Sequence, residues 1–343
     1  MNRKLLALSL AAALVAPAAA SAADSAPSVQ VYGRLHVSAG MLDNGDNSQS
    51  NVSSNASRLG VKGEQNLGQV AAIYQIESAI NADEGNTQLA TRNTFLGLKS
   101  AYGTVRVGRF DSPVKEIISG IDLFGDAVGD FDSISKAPYR RHFDNRENNA
   151  IGYTSPSFGG VTLNLQYATN IDDGDNDPAV DNRAIAASVA YKQGPVYVAL
   201  GYQQFGEDEG NGDDEPRLVR LGGTYDLGDL RLVGYVQRGW DDAVLEDSVA
   251  YGIGARYKFG DFAVKAQYAA VDPDADERGA RMIALGGEYK LAKNLTAYLV
   301  GAIVDNDDNS RLTPYSETSD SDYAPLAGGE KTNGIAIGAI YDF

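Results

Sequence analysis

A chain of 343 residues with 46 Asp plus Glu against 29 Lys plus Arg carries a formal charge of −17, which argues against a nucleic-acid partner. Cysteine is absent, so neither a disulfide framework nor a thiolate metal site is available. The 38 glycines and 19 tyrosines, beside 3 methionines, suit many turns and many strands.

The N-terminus opens with Arg3 and Lys4, runs apolar from Leu5 to Ala16, breaks at Pro17 and ends on Ala20-Ser21-Ala22. That three-part layout predicts a cleaved secretory signal over residues 1–22, with cleavage after 22 or 23, and leaves 23–343 as a single domain. No later stretch approaches the roughly 18 consecutive apolar residues of a membrane-spanning helix.

Beyond the signal the chain repeats one pattern. In Val161-Thr162-Leu163-Asn164-Leu165-Gln166-Tyr167, one face is apolar and the other polar, as side chains alternating across a strand require. Phe262 to Tyr268 repeats it with Lys265 on the polar face. Such runs fall at 29–42, 56–65, 69–79, 92–100, 104–110, 146–155, 161–169, 184–192, 196–204, 217–225, 230–238, 248–258, 262–270, 281–289, 295–304 and 334–343. Seven connections are short, among them Gln193-Gly194, Leu227-Gly228 and Phe259-Gly260. Eight are long and polar: 43–55, 80–91, 111–145, 170–183, 205–216, 239–247, 271–280 and 305–333. Short turns on one side and long loops on the other predict an all-β, sixteen-stranded antiparallel transmembrane β-barrel with both ends on the short-turn side. Tyr32, Tyr153, Tyr167, Tyr202, Tyr257, Tyr268, Tyr289 and Tyr341 lie near strand ends, where interfacial aromatic girdles form. A soluble β-sandwich would also alternate, but would not interleave long loops and tight turns so regularly.

Four motifs occur in order: Val31-Tyr32-Gly33-Arg34-Leu35, Ser57 to Glu64 (SRLGVKGE), Gly103 to Phe110 (GTVRVGRF) and the terminal Ala339-Ile340-Tyr341-Asp342-Phe343. Together they resemble the trimeric Gram-negative general-diffusion porins, in the branch common to β- and γ-proteobacteria, over essentially the whole mature chain. The resemblance implies a homotrimer in outer-membrane lipid and lipopolysaccharide, passing ions and small hydrophilic solutes. It also implies a terminal Tyr341 and Phe343 read by the barrel-assembly machinery, and a third loop folded into the pore. The third loop here, 111–145, holds Ile117, Ile118, Ile121, Leu123, Phe124 and Phe131, more apolar than an exposed tip has use for. After Pro113 a short helix is predicted.

Within the resemblance, basic wall residues face acidic residues of that loop and so decide which ions pass. The basic candidates are Arg34, Arg58, Lys62, Arg106, Arg109 and Arg146. Alternation turns Arg34 inward if Val31, Gly33, Leu35 and Val37 face out. It does the same for Arg58, Lys62 and Arg146. Arg109 shares parity with Val105 and Val107, so either a bulge near Gly108 intervenes or the strand ends, and Arg106 is the inward residue by parity. The acidic candidates are Glu116, Asp122, Asp126 and Asp130. Tyr197 and Tyr235 face inward by parity.

Other loops are acidic, with Asp172, Asp173, Asp175, Asp177 and Asp181 in one and Glu207, Asp208, Glu209, Asp213, Asp214 and Glu215 in another. Solvation, a cation-attracting mouth, or divalent bridging to lipopolysaccharide would each account for them. A calcium loop is disfavoured, because Pro178 stands where its glycine belongs and Ala184 where its glutamate does. The basic wall favours anions and the acidic loops favour cations, so the sign of selectivity stays open. Only His36 and His142 are present, and there is no nucleophile elbow, phosphate loop or zinc motif. No enzyme activity, cofactor or metal is expected. A substrate-selective channel and a structural or adhesive barrel with a plugged lumen are the alternatives.

Overall fold

The computed structural model describes residues 27–85, 89–136, 143–169, 171, 182–206, 215–241, 246–318 and 323–343. The signal over 1–22, His142, and the acidic residues of the 170–183 and 205–216 loops other than Glu215 lie outside the described residues.

Seventeen strand segments form one sheet: β1 (Gln30–Asp43), β2 (Ser48–Ser54), β3 (Arg58–Asn66), β4 (Val70–Ala79), β5 (Thr94–Ser100), β6 (Gly103–Asp111), β7 (Arg146–Thr154), β8 (Val161–Thr169), β9 (Arg183–Gln193), β10 (Val196–Phe205), β11 (Arg217–Leu227), β12 (Leu230–Asp241), β13 (Glu246–Phe259), β14 (Phe262–Pro273), β15 (Ala280–Ala292), β16 (Leu295–Asn306) and β17 (Lys331–Asp342). Each pairs antiparallel with its neighbour, and β17 returns to β1 from Arg34↔Asp342 to Asp43↔Asn333. Because β2 and β3 both pair with β1, they are two halves of one wall strand, and the barrel has sixteen. A closed wall leaves no unpaired edge, which lipid demands.

The first long loop is shorter than the sequence pattern predicts, since 48–54 continues the wall. That segment reads SQSNVSS, with one apolar residue to mark a face, so the hydrophobic period gives no sign of it. Its register with β1 differs by one residue from that of β3: Val37 faces Ser54, whereas Arg34 faces Arg58. The extra residue lies in Asn55-Ala56-Ser57, where Ala56 takes a φ of +49°, and a one-residue slip exchanges inner and outer faces. Side chains close the gap: Ser57 Oγ accepts the His36 N–H at 2.9 Å. Arg58 is thereby turned inward.

Outward faces carry Val31, Leu35 and Val37 on β1 and Leu299 and Ile303 on β16, all exposed. On the short-turn side Tyr257, Tyr289 and Tyr341 face out, with Phe259 and Phe262 stacked at 5.4 Å. Turn glycines 228 and 260 both take φ +63°, which permits such tight reversals. Tyr32 departs from the girdle expected for it. It shares the inward parity of Arg34, and its hydroxyl donates to Glu77 Oε2 at 2.9 Å.

The core lies inside the barrel, between the third loop and the wall. Helix α1 (Pro113–Ile121) starts on Ser112, whose hydroxyl caps the Lys115 N–H at 3.2 Å, with Pro113 preset for the first turn. It lies against β9–β11, while α2 (Asp132–Ser135) lies against β13–β15. Val114, Ile117, Ile118, Ile121, Phe124, Phe131 and Ile134 are fully buried there, each worth roughly 1.5–3 kcal/mol relative to exposure. Glycines shape the bed. A β-carbon on Gly201 or Gly222 would sit 2.8 Å from Ile117, and one on Gly252 2.7 Å from Phe131.

One buried clasp ties the loop at three points. The Arg220 guanidinium holds the Asp144 carboxylate with both terminal nitrogens and donates to the Val114 carbonyl at 3.1 Å and to Gln237 at 2.9 Å. Gln237 in turn donates to the Ser135 carbonyl at 2.8 Å. Tyr197 and Tyr235 face inward as parity predicts; Tyr235 packs edge-on to Phe131 at 5.0 Å.

Candidate functional site: a charged passage inside the barrel

With the third loop pressed onto β8–β15, the remaining interior space lies toward β1–β7 and the adjoining β14–β17. A cavity of 550 Å³ runs there, lined on the wall side by Arg34, Arg58, Arg92 and Arg146 and on the loop side by Ser119, Asp122, Asp126 and Asp130. Arg34 and Arg58 are direct cross-strand partners. Arg34 pairs with Asp342 at 2.7 Å, Arg92 with Glu77 at 2.8 Å and Arg146 with Asp111 at 3.2 Å. Arg58 faces Asp126 across the passage at 3.8 Å, the longest of these four pairs.

The other basic candidates lie elsewhere. Lys62 sits four residues along β3 from Arg58, over the ring of Tyr32 at 4.8 Å. Arg106 faces inward but stacks on Phe110 at 4.7 Å and meets Glu116 at 3.9 Å, beside the cavity. Arg109 keeps its outward parity, donating to the Thr91 carbonyl at 3.2 Å and to Asn148. The irregularity anticipated near Gly108 is in β7: Gly108 faces Ala150 and Phe110 faces Glu147, so Arg109 opposes both Asn148 and Asn149, the latter at φ +49°.

The four acidic candidates divide. Asp126, at φ +61°, presents its carboxylate to Arg58, and Glu116 presents its own to Arg106. Asp122 and Asp130 are spent on the loop backbone. Asp122 accepts the N–H groups of Phe124 at 2.7 Å and Phe131 at 2.6 Å; Asp130 accepts those of Asp126 at 2.6 Å and Asp132 at 2.7 Å. Burial, with the Asp122 and Asp132 carboxylates beside it, pushes the Asp130 carboxyl well above the usual carboxylate range. A raised acid supports the folded loop while protonated. That support is full below the ordinary Asp value of about 4 and is lost as pH rises through the raised one. Open-channel current noise is therefore expected to grow with pH across that window and to stay flat in Asp130→Asn; a flat profile in the unmodified protein would exclude this.

Arg92, Glu77, Asp111 and Lys265 are passage residues outside the sequence-based set. Lys265 fastens the loop, donating to the Leu123 carbonyl at 2.6 Å beside Glu288 at 3.5 Å. Parity carried the signal for Glu77, which lies beside the outward Ile76. Nothing periodic marks Arg92, which precedes β5.

A sealed wall around a charged, water-accessible passage defines a pore-forming β-barrel of the outer-membrane type. The chain belongs to the Gram-negative porin family, whose model matches residues 8–309. It is similar to outer membrane porin protein 32 of Delftia acidovorans, 29% identical over 96% of this chain and 98% of that one. Major outer membrane protein P.IB of Neisseria gonorrhoeae is 26% identical over 87% of this chain and 92% of its own. Among solved structures, the anion-selective porin from Comamonas acidovorans superposes with a TM-score of 0.80 at 27% identity, covering 93% of this chain and all of that one. The protein is an outer-membrane channel for passive diffusion, and not an enzyme.

Proposed function

We propose that the passage between Arg34, Arg58, Arg92 and Arg146 on the wall and Asp126 on the third loop is the constriction, and that it favours anions. The cross-strand pairing of Arg34 with Arg58 carries this reading. Two guanidiniums share one stretch of wall, and the carboxylate facing them from the loop, Asp126, stands 3.8 Å away. The acidic mouth acts through solvent, which screens charges beyond about 8 Å at physiological salt, whereas a solute in the passage meets the arginines directly. Anion selectivity in the Comamonas relative agrees. Across a potassium chloride gradient, the zero-current potential is expected to take the sign of chloride preference and to move toward cation preference in Arg34→Gln/Arg58→Gln. An unchanged potential in that variant takes both residues out of the constriction.

In the same reading residues 1–22 are removed on export, 23–343 form the barrel, and 111–145 form the constriction loop. Three copies assemble in the membrane, as in the trimer form described for OmpT of Vibrio cholerae. The outward Tyr341 and Phe343, stacked at 5.9 Å, serve as the signal recognised during barrel assembly. Lipid and lipopolysaccharide surround the wall, with the long loops outside the cell.

A further inference from the structure

A cluster of polar side chains lies at the break between β2 and β3, beside the passage. His36, Ser38, Asn55, Ser57 and Tyr298 are all buried there, and buried polar groups are kept where partners answer them. The break is laced to β1 at a single residue. The Asn55 N–H donates to the His36 carbonyl at 2.8 Å, and Ser57 Oγ accepts the His36 N–H at 2.9 Å and donates to that carbonyl at 3.0 Å. Asn55 Nδ2 donates to Ser38 Oγ at 2.9 Å and to the Tyr298 hydroxyl at 3.2 Å. His36 Nε2 lies 2.8 Å from the same hydroxyl. Tyr298 stands on β16, two strands from β1. It reaches the break across β17, over Gly338, which lies in register between Ser38 and Tyr298. A β-carbon on Gly338 would overlap the phenol ring and its hydroxyl, so glycine at this point leaves the path open.

We infer that Tyr298 is a positioning residue for Arg58: its hydroxyl fixes the break, and the break aims the guanidinium. The last link is the Ala56 carbonyl, which accepts from Arg58 Nη1 at 3.2 Å. Ala56 takes a φ of +49°, a backbone that an alanine holds only where its surroundings over-determine it. Here those surroundings are the bonds made by Asn55 and Ser57 on either side. The same Arg58 nitrogen faces Asp126 at 3.8 Å, so a shifted carbonyl at residue 56 moves a positive charge within the passage. A role in packing alone would ask only for the ring of Tyr298. The hydroxyl instead meets Asn55 of the break and His36, the residue to which the break is laced. The inference rests on the reading above that Arg58 belongs to the constriction.

The test is planar-bilayer recording, to which only folded, inserted channels contribute. Tyr298→Phe removes one oxygen and keeps the ring. Across a potassium chloride gradient it should move the zero-current potential toward cation preference, and it should add nothing in an Arg58→Gln background. A shift of equal size in both backgrounds overturns the inference, because the hydroxyl would then act on ions without Arg58. So does an unmoved potential in Tyr298→Phe where Arg58→Gln moves it. A second arm does not depend on selectivity. The chain has no cysteine, so Arg58→Cys carries a single thiol, and its reaction with anionic 2-sulfonatoethyl methanethiosulfonate is read as a step in current. Adding Tyr298→Phe should slow that reaction about fivefold, the low end of what one lost bond to a buried group shifts. Equal rates overturn the inference. An unmoved potential in Arg58→Gln refutes the constriction reading alone, and a slowed thiol would still show that Tyr298 aims residue 58.

Discussion

Replacing Arg220 with methionine should lower the thermal stability of the barrel by about 3–5 kcal/mol and split its single conductance into several levels. The guanidinium is wholly buried and answers one carboxylate, Asp144, while reaching Val114 at the start of the third loop and, through Gln237, Ser135 near α2. Removing it strands a buried anion, which costs about that much when one partner of a buried pair is lost. It also frees three points of the loop together. The double variant Arg220→Met/Asp144→Leu removes both charges and should recover most of the stability, because no orphan remains. Its conductance should stay irregular, since the loop ends are still unfastened. Thermal unfolding followed by circular dichroism, with planar-bilayer recording of the same preparations, separates the two effects. If the single variant matched the unmodified protein in both, the clasp would not hold the loop.

Gly222→Leu should reduce conductance by moving α1 off its bed. A β-carbon there already falls 2.8 Å from Ile117 Cγ2 and 3.2 Å from Ile121 Cδ1. The wall behind is a hydrogen-bonded ladder to β10 and β12, so the helix yields and moves toward the arginine side of the passage. Overpacking of this kind costs about 1–3 kcal/mol. Ile117→Ala supplies the missing volume, and the combined variant should regain conductance toward the unmodified value. Normal conductance in Gly222→Leu would mean that the helix has room to shift elsewhere.

The wall was legible in the sequence because lipid imposes a simple test on every second residue. Val161 to Tyr167 and Phe262 to Tyr268 could be read directly, and the tight turns marked themselves with glycine. The test fails where no lipid is met. Ser48 to Ser54 is wall with a polar outer face, and its one-residue offset from β3 is invisible to composition. Inside the barrel, parity turned Arg34 and Arg58 correctly but gave no height along the strand, so it could not separate Lys62 from Arg58; Arg146 lies beyond the extra residue at Asn148-Asn149, so alternation read from Ile151 does not reach it. In the loop no period applies. Asp122 and Asp130 resemble Asp126 in sequence, and only the path of the backbone decides that the first two accept N–H groups while the third faces an arginine.

The ladder between β1 and β17 gives folding a direction in time. Neighbouring strands elsewhere are joined by short or moderate connections and can pair as hairpins emerge. The seam joins Arg34 to Asp342 across 308 positions of chain, and its loop-closure entropy is met last. Before it zips, two raw strand edges face their surroundings, a state that lipid penalises at every unpaired amide. Ring closure therefore waits on β17, the last wall strand in chain order. Until then the chain must be kept from pairing its edges with anything else.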